Sequence, residues 1–303
     1  MKLKRLGIFV VLLSLFVSMV AGCQAPFQPG TFTDDMGRAV VIDQMPQRLV
    51  SFGPSITEIL FALGLEERVV GVSDYCDYPE AAKLKPKVGD AFNPSLEKIT
   101  ELEPDLVLTV KQEQLNSELE NLGVTFIVLD PKDIDGILGD IELVGEITGT
   151  EKEAKKLIKD MQDSISQVVT LMEGVPKVSV FFIVDATDTT LPWTAGTGSF
   201  IDALITMAGG ENIAGGTQGA WVQFSLEQIV SSDPEVIIVQ TMTEDVPTIS
   251  KEELEAHPVW GAMPAVKQGK IRFINGDLVS RPGPRIVQGL EEMARIIHPE
   301  LFE

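Results

Sequence analysis

Ser95-Leu96-Glu97-Lys98-Ile99 returns later in the chain as Ser225-Leu226-Glu227-Gln228-Ile229. Beyond each copy, Pro104-Asp105-Leu106-Val107-Leu108 is matched by Pro234-Glu235-Val236-Ile237-Ile238, so the offset holds at 130 residues. A second echo lies upstream, Ser55-Ile56-Thr57-Glu58-Ile59-Leu60 against Ser199-Phe200-Ile201-Asp202-Ala203-Leu204. The two halves therefore read as versions of one plan. A chain of two similar lobes has a cleft between them and presents the same surface group twice, once per lobe.

Outward from these repeats, short apolar runs alternate with helical patterns. Residues 48–52, 68–72, 105–110 and 125–129 read as strands in the first half, with helices over 56–63, 95–101 and 112–122. Ser55 with Glu58 has the spacing of a capping box for the first of these helices. Residues 24–37, rich in Gln, Pro, Gly, Thr and Asp, read as a tether, and Val40-Val41-Ile42 as a first short strand. The second half repeats the alternation: strands over 177–184, 235–240 and 270–274, helices over 199–207 and 284–297, and a helix opened by Ser225 with Gln228. Such alternation predicts an α/β fold with parallel sheets covered on both faces.

Residues 150–172 differ. Thr150 and Glu153 have capping-box spacing, and Ala154, Leu157, Ile158, Met161, Ile165, Val168, Val169 and Met172 form an apolar helical stripe. Twenty-two residues of helix span about 33 Å. A helix this long between two similar halves is expected to be a stiff strut, since a flexible linker would be rich in Gly and Ser.

The first 22 residues have the three parts of an export signal: basic Lys2, Lys4 and Arg5, an apolar run over 6–20, and small residues before Cys23. Val20-Ala21-Gly22-Cys23 matches the bacterial lipobox, which implies cleavage before Cys23, lipid attachment to it, and an exported chain anchored at the cell membrane. The expected organisation is a signal over 1–22, anchor and tether over 23–37, a first lobe over 38–149, a connecting helix over 150–173 and a second lobe over 174–303. Cys76 is then left without an intramolecular partner and is expected to be buried.

The formal charge is −21, and losing the three basic residues of the signal takes it to −24. Such a chain repels nucleic acid and anionic lipid surfaces. Enzyme signatures are scarce. His257 and His298, the only histidines, each precede Pro and have no zinc-type spacing; there is no Cys-x-x-Cys and no Gly-x-Ser-x-Gly. Gly196-Thr197-Gly198 lacks a third glycine at phosphate-loop spacing and reads as a loop before the Ser199 helix. No catalysis, cofactor or metal site is expected; a secreted α/β enzyme using carboxylates alone is the rival from another class.

Glu97 and Glu227 each fall in the first turn of an expected helix. One carboxylate there is explained by the helix dipole, worth roughly 0.3–1 kcal/mol. Its repetition in both lobes favours docking to a dimeric partner with an Arg cluster on each subunit. Aromatics are scarce, 6% of the chain, so their positions carry weight. Tyr75, Tyr78, Phe92, Trp193 and Trp221 all fall on expected loops near strand ends or helix starts, where open α/β sheets bind ligands. As a set they read as the wall of a cleft for a bulky, partly apolar ligand, whereas Trp260 reads as core.

Val50-Ser51-Phe52-Gly53-Pro54-Ser55-Ile56-Thr57-Glu58, Asp74-Tyr75-Cys76-Asp77-Tyr78-Pro79, Asn93-Pro94-Ser95-Leu96-Glu97 and Gly209-Gly210-Glu211-Asn212-Ile213 resemble the class III substrate-binding proteins of ABC importers. The resemblance covers nearly the whole chain after the signal. It implies two Rossmann-like lobes joined by one long rigid helix, cargo among cobalamin, haem and iron–siderophores, and lobe-tip glutamates, here Glu97 and Glu227, that meet arginines of a permease dimer. Within the family the chain is most similar to the cobalamin-binding members. That likeness implies a corrinoid held by Tyr75, Trp193 and Trp221, with Asp277 and Arg281 hydrogen-bonding its polar rim. Where those members carry a tryptophan just before the first glutamate motif, this chain has Ala91-Phe92, and Phe92 is the candidate substitute. A monomeric, rigid, non-catalytic binding module is expected, with haem or ferric-siderophore capture as the alternative.

Overall fold

Asp34 decides where the folded body begins. The structure, a computed structural model, describes residues 27–242 and 246–302; the export signal and Cys23 lie outside the described residues. Strands β1 (Gly30–Thr33) and β2 (Ala39–Ile42) pair antiparallel. The Asp34 carboxylate, buried in the turn between them, accepts from Met36 N, Arg38 N, Arg38 Nε and Nη2, and Val128 N. The last of these pins the hairpin to the first lobe's sheet. Residues 30–37 are therefore not tether, as their composition suggested. A linker-like composition folds here because one buried carboxylate gathers five donors.

The first lobe continues with β3 (Leu49–Phe52), α1 (Pro54–Ala62), β4 (Val69–Val72), α2 (Leu96–Glu101), β5 (Leu106–Thr109), α3 (Glu113–Asn121), β6 (Phe126–Val128) and α4 (Ile134–Thr148). The sheet order is β4-β3-β5-β6, all parallel. Helix α5 (Glu151–Leu171) follows. The second lobe holds β7 (Val178–Ile183), β8 (Trp193–Ala195), α6 (Phe200–Met207), β9 (Gly210–Asn212), β10 (Trp221–Gln223), α7 (Leu226–Ser232), β11 (Val236–Thr241), α8 (Lys251–Ala256), α9 (Pro264–Lys267), β12 (Ile271–Asn275), α10 (Gly276–Ser280) and α11 (Ile286–Ile297). Its parallel sheet has the order β9-β7-β11-β12. Matching β3 with β7, β4 with β9, β5 with β11 and β6 with β12 superposes one order on the other, so the sequence repeat is a topological duplication.

Helix α5 buries Ala154, Met161 and Val168, one residue every seven, along a single stripe. At 21 residues it is about 31 Å long. One apolar core runs from Leu49, Ile56 and Ile141 in the first lobe through Met161 and Met172 to Phe182, Leu204 and Leu290 in the second. The strut is thus embedded in a continuous core. Helix α4, which the sequence reading passed over, packs on it so closely that a Cβ on Gly145 would lie 2.5 Å from that of Ala154.

Two expected capping boxes are absent. The N-cap of α1 is Gly53 with Pro54 in the first turn, so Ser55 lies inside the helix and Glu58 is free to point elsewhere. Thr150 precedes α5 without a side-chain cap; its hydroxyl pairs with Thr148 Oγ1 at 2.8 Å instead. Ser225 and Gln228 do form the box on α7, and Ser95 caps α2 through Lys98 N.

Candidate functional site

The segments that follow the carboxyl ends of β3, β4 and β12 meet where the two lobes touch. Strand β3 runs into Gly53-Pro54 and α1, β4 into the loop 73–79, and β12 directly into α10. Residues from these ends meet across the lobes. A Cβ on Gly283 would sit 3.3 Å from the Ser55 backbone, and Arg281 Nη1 lies 2.6 Å from Asp77 Oδ1. Strand ends of the kind that bind ligands in open α/β sheets thus come together at the junction of the lobes.

Tyr75 and Phe92 come from the first lobe. Their loops are tied together by Asp74 N donating to Gly89 O, and the Phe92 turn is held by its own N–H donating to Asp90 Oδ1 at 2.7 Å. Trp193 and Trp221 come from the second lobe. They sit on β8 and β10, an antiparallel ribbon in which Trp221 opposes Ala195 and Gln223 opposes Trp193, so both indoles project from one face. The sequence reading put both tryptophans on loops; they stand on a ribbon, which holds them more rigidly. The Trp221 ring meets Phe200 edge-on at 5.8 Å. Tyr75, Tyr78, Trp193 and Trp221 each keep 43–54% of their surface exposed, and Phe92 keeps 84%. Both tyrosines of the chain and two of its three tryptophans are thus left open to solvent near strand ends, while Trp260 is fully buried and donates Nε1–H to Thr189 O.

An ionic cluster joins the lobes. Arg285, at the start of α11, donates Nε–H to Glu58 Oε2 at 2.9 Å and Nη2–H to Glu58 Oε1 at 2.6 Å. Its guanidinium stacks over the Tyr78 ring at 4.0 Å. Arg281 pairs with Asp77 and, at 2.8 Å, with Asp277, and approaches Glu58 at 3.7 Å. Burial pushes the Glu58 carboxyl up from the usual range, against the pull of Arg285 and Arg281. Burial also acts to raise Asp77, but the hydrogen bond and charge of Arg281 outweigh it and hold that carboxyl below its ordinary value. Burial lifts Asp277, against the Arg281 charge. Asp277 and Arg281, expected at the rim of a ligand, are thus ion-paired to each other, and Arg281 is turned into the contact between lobes. Glu58 and Asp77 were missed as site residues, and Tyr78 was read as part of the aromatic wall rather than as the cover of Arg285. The only signal in the sequence was the close basic pair Arg281 and Arg285; their acids lie 204 and 227 positions away.

Glu97 and Glu227 occupy the second helical position of α2 and α7, each two residues after a capping serine and each exposed. Because the lobes share one topology, these are equivalent places. Cys76 is buried, with Sγ 3.0 Å from Ser73 Oγ. Neither histidine belongs to the aromatic set. His298 is buried with Nε2 3.1 Å from Gly209 O, and His257 Nδ1 accepts from Val259 N and Trp260 N. Among the described residues no group of three or more His, Cys, Asp or Glu is arranged to hold a metal ion, and no helix is long and apolar enough to cross a membrane.

The sequence profile described as periplasmic binding protein matches residues 49–278. The chain is 33% identical to YvrC, an uncharacterised ABC transporter substrate-binding lipoprotein of Bacillus subtilis, over 99% of each chain. It is 28% identical to a cobalamin-binding protein of Halobacterium salinarum, over 95% of this chain and 83% of that one. Among solved structures, the periplasmic heme-binding protein RhuT of Roseiflexus, in its apo form, superposes with a TM-score of 0.75 at 26% identity, covering 84% of this chain and 99% of that one.

Proposed function

The chain belongs to the periplasmic binding protein family, as an extracytoplasmic substrate-binding component of an ABC importer, and from that premise we propose that its cargo is a corrinoid held in the cleft between the lobes. The observation that carries this reading is the exposed aromatic set: Tyr75 and Phe92 on one lobe, Trp193 and Trp221 on the other. A corrin is broad, flat and partly apolar, and exposed aromatic faces contributed by both lobes suit it. The Halobacterium relative named for cobalamin supports the same choice.

Capture of haem or a ferric siderophore is the second reading, favoured by the likeness to the Roseiflexus protein and by the open phenol of Tyr75 as an oxygen ligand. Against it, both histidines are engaged away from the aromatic set. Binding is non-covalent and no bond is made or broken in the cargo. Glu97 and Glu227 dock to a permease dimer through charge-assisted pairs with arginine. The chain acts as a monomer held at the membrane by lipid on Cys23.

The test is a titration of the purified protein with cyanocobalamin, haemin and a ferric siderophore, followed by tryptophan fluorescence and calorimetry. One-to-one binding of cyanocobalamin is expected. Tight binding of haemin or siderophore without cyanocobalamin would overturn the corrinoid reading.

A further inference from the structure

The lobes are joined at two levels. The lower is α5 with its continuous core. The upper is the segment 281–285, which lies against the start of α1 and the loop after β4. Between the levels is a pocket of about 420 Å³, bounded by Glu58, Tyr78 and Arg285 on one side and by Leu157, Asp160 and Met161 of the strut on the other. A single helix can bend or twist along its length. Two attachments separated by a gap resist rotation far better, because opening the cleft must stretch the upper one.

The upper attachment is specific. Arg285 grips Glu58 with two parallel hydrogen bonds, and Arg281 reaches Asp77 at 2.6 Å. Both arginine side chains are largely covered, with 12–13% of their surface exposed. Gly283 lies between them with no room for a side chain against Ser55 without a shift of a few tenths of an ångström. The Tyr78 ring covers Arg285. The contact therefore has one tight geometry.

We propose that Glu58, Asp77, Arg281 and Arg285 form an interlobe clasp that sets the spacing of the lobes and, through it, the size of cargo the aromatic cleft accepts. These are positioning residues: they act on the cargo through the separation of Tyr75 and Phe92 from Trp193 and Trp221. The part concerning cargo rests on the corrinoid reading above; the part concerning lobe spacing does not.

The experiment places spin labels at exposed positions of the two lobes, Glu120→Cys on α3 and Glu252→Cys on α8, and measures their distance distribution in the purified protein. A single narrow distribution is expected, unchanged by cyanocobalamin. Asp77→Asn, chosen because the Asp77 side chain is 39% exposed and the variant is expected to keep the unsubstituted protein's circular dichroism, is expected to broaden the distribution and move its centre outward by several ångströms, as is Arg281→Gln. Arg281→Lys, which keeps the charge but loses the fork, is expected to fall between Arg281→Gln and the unsubstituted chain.

The second arm compares affinity for cyanocobalamin with that for adenosylcobalamin, which carries a bulkier axial group. Loosening the clasp is expected to move the ratio of the two affinities toward the bulkier form by about tenfold, whereas a general loss of stability would lower both alike. Distance distributions identical in all variants would overturn the clasp, as would a shift of several ångströms in the unsubstituted protein on binding. If the unsubstituted protein binds neither corrinoid, the cargo reading fails, and the distances still decide the clasp.

Discussion

Arg285 and Glu58, 227 positions apart, face each other in a parallel fork: Nε to Oε2 at 2.9 Å and Nη2 to Oε1 at 2.6 Å. The pair bridges the lobes, and the Glu58 side chain is only 2% exposed. A carboxylate so enclosed depends on its partner, because the interior solvates a lone charge poorly.

Removing one partner of this pair is expected to cost more than removing both. Arg285→Met should destabilise the protein by roughly 3 kcal/mol, since it removes both hydrogen bonds to the buried Glu58 carboxylate and leaves only Arg281, at 3.7 Å, to offset its charge. Glu58→Leu combined with Arg285→Met should recover at least half of that loss. Denaturant melts of the two single variants and the double variant check the cycle; additive losses would speak against a coupled pair.

Asp140 on α4 is expected to make stability depend on pH. Burial, with the charge of Asp35 beside it, pushes its carboxyl up to about 8. In the unfolded chain an aspartate titrates near ~4. Between those values the unfolded chain gives up the proton and the folded chain keeps it, so stability falls as pH rises through this window, by a total on the order of 5 kcal/mol. Asp140→Asn removes the group. Its Tm should fall less steeply from pH 4 to 8 than that of the unsubstituted protein and exceed it at the upper end, the remaining slope coming from groups such as Glu58 and Asp277, whose carboxyls burial also raises. Parallel Tm curves would show that Asp140 is not the source.

The three tryptophans should report binding unequally. Trp193 and Trp221 are 43% and 44% exposed, and Trp260 is fully buried in the core on the sheet face away from the strut. Trp260→Phe is expected to leave most of the cargo-induced quenching intact. Trp193→Phe with Trp221→Phe should abolish most of it, and Trp221→Ala should weaken affinity by about 1–3 kcal/mol with little change in Tm. Quenching that survives the loss of both exposed indoles would put the cargo elsewhere.

Glu97→Ala and Glu227→Ala together should stop uptake by whole cells while cargo affinity of the purified protein changes less than about twofold. Each substitution alone should cost no more than the helix-dipole contribution of roughly 0.3–1 kcal/mol in stability. Transport that continues in the double variant would leave the two carboxylates with only that local role.

Much of this protein was legible from its sequence because its governing patterns are local. The 130-residue repeat, the alternation of strands with helices and the stripe on residues 150–172 are each written within a few turns of chain, and the matching strand orders of the two sheets bear out the duplication. The cap of Ser225 on α7 is equally local, spanning three residues. What sequence could not supply was the choice of partner for a polar side chain. Glu58 has the spacing of a cap yet bonds to Arg285 in the other lobe, and Arg281 turns to Asp77, 204 positions away. Asp34 lies in a stretch with the composition of a linker yet anchors a hairpin through Val128, 94 residues on. Backbone periodicity is set by neighbours along the chain, so the residues alone determined the lobes and the strut. A buried charge is satisfied by whichever group the packed sheets bring within about 3 Å, and only the tertiary structure decided which that was.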